Sequence, residues 1–97
     1  MARVNFITDT QNQMAAIMAA YNNDYDSPEL RKAVEAKIRT YKPEYRNKEL
    51  VNRIAEYYSR AQFVYQRDKS RQARQVLLSW AQSAAYVYIA IKLGILQ

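Results

Sequence analysis

The residues best suited to chemistry in this chain are arginines. From Arg46 onward one stands at every seventh position, at Arg46, Arg53, Arg60, Arg67 and Arg74. A guanidinium is planar, permanently charged and donates through a fork that matches carboxylate or phosphate. Such a row can therefore track a polyanion, flank a helix seam as ion pairs, or remain solvated. Neighbouring acids divide it. Glu49 and Glu56 precede Arg53 and Arg60 by four residues, the favoured orientation for helical ion pairs, worth about 0.2–0.5 kcal/mol each. The stretch QRDKSRQAR differs, because Arg67, Lys69, Arg71 and Arg74 face only Asp68. Those four residues are the expected contact for phosphate groups or for an acidic protein surface.

Other chemistries are narrowed by what is missing. The sequence has no Cys and no His, which removes disulfides, thiolate zinc sites, cysteine nucleophiles and the commonest general base. It reads as non-enzymatic, without a cofactor. The turn NNDYDSPE offers Asp24, Asp26 and Glu29 to a hard cation, but it lacks the Gly and the regular oxygen spacing of a calcium loop. Turn formation and capping account for it, and no metal site is expected.

Aromatic residues form the second candidate set: nine Tyr, two Phe and one Trp. Tyr57, Tyr58, Tyr65 and Tyr88 fall on or beside apolar stripes and read as packing residues. Tyr25 and Tyr45 fall in loops, and Tyr86 falls on a polar face with Ser79 and Gln82. Exposed tyrosines anchor protein interfaces and can also stack on bases.

The elements that must carry these groups are helices. One Gly and two Pro in 97 residues speak against turn-rich β architecture. Thr8 and Gln11 have capping-box spacing, so the first helix is expected to start near Thr8 and to bury Met14, Ile17, Met18 and Tyr21. SPEL marks a second start, with Ser27 as N-cap and Pro28 in the first turn, and this helix is expected to bury Leu30, Val34, Ile38 and Tyr41 before Pro43 stops it. Asn47 is expected to cap a third helix from residue 48 with a core stripe of Leu50, Ile54, Tyr57, Ala61 and Val64, widened by Val51, Tyr58 and Tyr65.

No Gly or Pro follows until Gly94, so a single rod is conceivable, but the apolar phase breaks. Continuing the stripe would bury Asp68, Arg71 and Gln75, whereas the apolar positions fall at Ala73, Val76, Leu77, Trp80, Ala84, Val87, Tyr88 and Ile91. A turn at Asp68, Lys69 and Ser70 resets the phase and favours a helical hairpin ending at Gly94. On the flank of this last helix Leu78, Ala85 and Ile89 form a second apolar strip, more than one hairpin partner needs, and the strip reads as an interface. The fold expected is all-α: one domain over residues 1–97, a small bundle of about four helices with a long C-terminal antiparallel hairpin.

Charge follows the same division. Residues 1–30 carry one Arg against four acids (1 − 4 = −3), and residues 31–74 carry thirteen Lys and Arg against five acids (13 − 5 = +8). Residues 76–96 hold one charge in 21 positions, long enough to span a bilayer. Ser79, Gln82, Ser83 and Lys92 dilute the run, so a buried central helix is expected and a membrane span is not. The N-terminal stretch MARVNFITDT has no apolar signal core, which makes a cytoplasmic or intravirion setting the expectation. These features together suggest a protein that self-associates or docks into a larger protein assembly, such as a viral structural or accessory factor. The alternative is a basic nucleic-acid-binding module using Arg67, Lys69, Arg71 and Arg74 on phosphates.

Overall fold

The first helix starts on an asparagine. Asn5 Oδ1 accepts from the Thr8 N–H at 2.7 Å, and α1 runs Phe6–Ala19. The expected start at Thr8 is therefore two residues late: Asn5 captures an unpaired first-turn donor before Thr8 can act as the cap. At the other end Asn22 and Asn23 adopt φ +56° and +57°. The Asn23 N–H closes onto the Met18 carbonyl at 2.8 Å and ends the helix. Asparagine tolerates this left-handed backbone better than most residues. The computed structural model describes residues 5–47 and 49–96, apart from the Tyr45 side chain.

Helix α2 (Pro28–Ile38) begins as SPEL indicates, with Ser27 Oγ accepting from the Leu30 N–H at 3.2 Å. It buries Leu30, Val34 and Ile38. A 3-10 turn, Pro43–Tyr45, follows. Arg46 then folds back and donates to the Tyr41 and Arg39 carbonyls at 2.9 and 3.0 Å, satisfying acceptors that the end of α2 leaves free.

Asn47 Oδ1 accepts from the Glu49 N–H at 2.9 Å in the turn ahead of the helix, and α3 runs Leu50–Arg67 with Glu49, not the expected Asn47, as its N-cap. The expected start at Lys48 lies outside the described residues. Asp68, Lys69 and Ser70 form the expected break. Ser70 Oγ accepts from the Ala73 N–H at 3.1 Å and caps α4 (Arg71–Lys92). Gly94, at φ +74°, terminates α4: its N–H reaches the Ile91 carbonyl, and the Ile95 N–H reaches the Ala90 carbonyl at 2.9 Å. This Schellman closure folds Leu96 back into the core.

The fold is all-helical, with four α-helices and no strand among the described residues. Helix α4 is its axis and packs against α1, α2 and α3. The main core joins Ile17, Met18, Leu30, Val34, Ile38, Leu50 and Ile54 to Ala84, Ala85, Val87, Ile89 and Ala90. A smaller core of Tyr58, Leu77 and Ala81 lies toward the α3–α4 turn.

Two expectations about packing are corrected. Leu50, Ile54 and Tyr58 form the buried stripe of α3, while Tyr57 and Val64 are exposed. The second strip of α4 is not an outer face: Ala85 and Ile89 are fully buried, in one cluster with Leu30, Val34 and Ile38 of α2. No helix among the described residues is long and apolar enough to cross a membrane.

Candidate functional site

The basic residues around Asp68 do not form one group. Arg74 leaves it: its two terminal nitrogens donate to the Asp9 carboxylate on α1 at 2.7 and 2.9 Å. Tyr58 on α3 donates its hydroxyl to the same carboxylate at 2.6 Å. Asp9 is buried. Burial alone would raise its pKa, but the bonds from Arg74 and Tyr58 prevail and hold it below the usual carboxylate value. Burial, followed by the bond to Asp9, pushes the Tyr58 hydroxyl well above its ordinary value. Arg74 is raised chiefly by its bond to Asp9. Of the four basic residues expected to meet a polyanion, Arg74 thus has its fork engaged within the chain, by a carboxylate 65 residues away.

The remaining basic residues stay at the surface. The Arg67 guanidinium lies 4.7 Å from the centre of the Phe63 ring, and the Lys69 ammonium lies 5.2 Å from that of Tyr65. Arg71 is exposed. Arg60 lies over the Tyr57 ring at 5.8 Å instead of pairing with Glu56, and Arg53 is engaged within the chain. A guanidinium over an aromatic face gains about 0.5–1 kcal/mol at an exposed site.

The expected interface residues are dispersed. Tyr25 is exposed in the turn between α1 and α2, with the Lys92 ammonium 5.1 Å from its ring. Tyr45 lies in the 3-10 turn, and its side chain is outside the described residues. Tyr86 is not on a free polar face. It is half-buried against the main core, with Lys37 over its ring at 5.8 Å, and burial raises its hydroxyl pKa. Leu78 is half-buried, and Ala85 and Ile89 are fully buried.

What the structure does bring together is an apolar face that the sequence reads as core. Tyr57 stacks on Trp80 with ring centres 4.9 Å apart, which sets the register of the antiparallel pair. In that register, toward the turn, Ala61 and Val64 on α3 fall opposite Val76 and Ala73 on α4. Tyr57, Val64 and Val76 are 39%, 56% and 47% exposed; Ala61, Ala73 and Trp80 are half-buried between them. Arg60 and Arg67 border this face on α3. Helix lengths explain why it is open. At about 1.5 Å per residue, α4 is roughly 33 Å long and α2 roughly 16 Å. Helix α2 therefore covers only the half of α4 that carries Ala85 and Ile89. No family model, curated protein or solved structure matches this chain.

A second concavity, of about 410 Å³, lies between α1 and α4. Phe6, Ile7, Met14, Tyr88 and Ile91 give it apolar walls, and Lys92 stands at its rim. Thr10 also lines it, with a buried hydroxyl that has no hydrogen-bond partner. No group of three metal-ligating side chains is present among the described residues.

Proposed function

We propose that this chain is a protein-docking module whose contact surface is the open side of the α3–α4 hairpin. The observation that carries this reading is the exposure of Tyr57, Val64 and Val76 on one continuous face, next to half-buried Trp80. Apolar side chains scattered singly over a surface need no explanation, but a contiguous patch with a charged edge is the usual form of a protein contact. Trp, Tyr and Arg, the residue types that dominate binding energy at interfaces, are the ones assembled here.

The nucleic-acid alternative retains Arg67, Lys69 and Arg71 at the turn, with aromatic rings beneath two of them. It has lost Arg74, and the apolar valines offer nothing to a phosphate backbone.

The test compares the intact chain with a Val64→Glu/Val76→Glu variant. Both sites are half exposed, so the variant folds with a thermal midpoint close to that of the parent. Self-association by light scattering across a dilution series, and capture of protein partners, are read for each. Docking through this face requires that one of these contacts be present in the parent and lost in the variant. A parent that is monomeric at every concentration and captures nothing, or contacts that survive both substitutions, would remove the reading.

A further inference from the structure

The hairpin already holds one helix, and α1 shows how. On that side Phe6 packs edge-on against Tyr58 with ring centres 5.2 Å apart, and Asp9 lies in the fork of Arg74. The rule is an apolar contact in the furrow between α3 and α4, together with a carboxylate on the docked helix meeting an arginine of the hairpin. The open face is the other side of the same pair. At about 100° per residue, Arg74 and Val76 project roughly 160° apart around α4. The open side repeats the ingredients of the filled one: Trp80 and Tyr57 with valines and alanines in the furrow, and arginines along the edge.

Charge decides what can fill it. Helix α4 contains no acid and α3 contains one, Glu56. Among the described residues no carboxylate pairs with Arg60 or Arg67; each is exposed and lies over an aromatic ring. Resting on the docking reading above, we infer that the open face takes an amphipathic helix of a partner protein whose apolar stripe is flanked by Asp or Glu. A second copy of this chain presenting the same face brings the same arginine edge, so like charges oppose that pairing. The eight residues from Tyr57 to Val64 span about 10 Å of α3, a contact for about two turns of helix.

The probe is a display library of amphipathic helical peptides, apolar at positions i, i+3, i+4 and i+7 and randomised at the flanking positions, selected on the intact protein. The expected result is enrichment of Asp and Glu beside the apolar stripe. The selected peptides should lose at least tenfold in affinity on Arg60→Gln/Arg67→Gln and keep it on Lys32→Gln, a change on α2. Flanks that emerge neutral or basic, or binders indifferent to Arg60 and Arg67, overturn the acidic-helix inference while docking at the face stands. Selected binders unaffected by Val64→Glu/Val76→Glu overturn the docking reading itself. Displacement of the peptides by oligothymidylate at lower concentration than by free acidic peptide overturns the inference in favour of a nucleic-acid strand on the same arginines.

Discussion

Arg74 donates two bonds to Asp9 and Tyr58 donates a third, so the side chains of three helices meet at one buried carboxylate. Removing Arg74 leaves that carboxylate with a single donor in a site that water reaches poorly. Arg74→Ala should cost about 2–3 kcal/mol, toward the upper range for a hydrogen-bonded charged group, with some relief because Arg74 is partly exposed. Once Asp9 is already Ala, the same substitution should cost much less. A double-mutant cycle by urea denaturation should therefore return a coupling of about 1.5 kcal/mol or more; additive losses would mean that the two groups do not act as a pair.

The same site sets the pH dependence. Asp9 is depressed in the folded protein, so its contribution is fully present above the unfolded carboxylate pKa of about 4 and is lost as pH falls through the lower folded value. Tyr58 is raised, so its contribution holds below about pH 10 and fades as pH rises beyond it. Denaturation followed against pH should show both slopes. Asp9→Asn should flatten the acid limb, and Tyr58→Phe should flatten the alkaline one.

At the scale of elements, the ends of the helices are set by single residues. Gly94 adopts φ +74° with open space around it, so an added Cβ meets no neighbour and the whole cost of Gly94→Ala is backbone strain. That cost should be about 1–2 kcal/mol, the penalty of a left-handed backbone for an L-residue, read as a shift in denaturant midpoint at unchanged slope.

Signals of this local kind made much of the fold legible in advance: Ser27 with Pro28, the phase break at Asp68–Ser70, and Gly94 each act within one turn of chain. The misses have a different origin. Asn5 does not stand out as the cap because Thr8 offers an equally good one three residues later. Val64 and Val76 read as core because a periodic stripe reveals which face is apolar, not whether another helix is long enough to cover it. Ala85 and Ile89 read as surplus because their cover is α2, far away in sequence. The bond between Arg74 and Asp9 joins positions 65 residues apart and leaves no trace in spacing, so the basic cluster looked larger than it is.

Over the whole molecule, cover is uneven along α4, and the unevenness predicts where the structure opens. The half from Ala84 to Ala90 is enclosed by α1, α2 and α3 in the main core. In the half nearest the α3–α4 turn only Leu77 and Ala81 are fully buried, clustered with Tyr58 of α3, with α1 on one side and solvent on the other. Amides exchange through local opening wherever few buried contacts must break, and through global unfolding wherever many must. Hydrogen exchange should therefore be at least tenfold slower at Ala84–Ala90 than at Phe63–Arg67 and Arg74–Val76. The Asp9→Ala variant should widen that difference, because it releases α1 from the less covered half first. A helix seated on the open face should narrow it, slowing exchange at Val64 and Val76 while leaving Ala84–Ala90 unchanged. Equal protection along α4 in the free chain would mean that the tip is as cooperative as the core, and the open face would then be a rigid surface, not a half-finished layer completed by a partner.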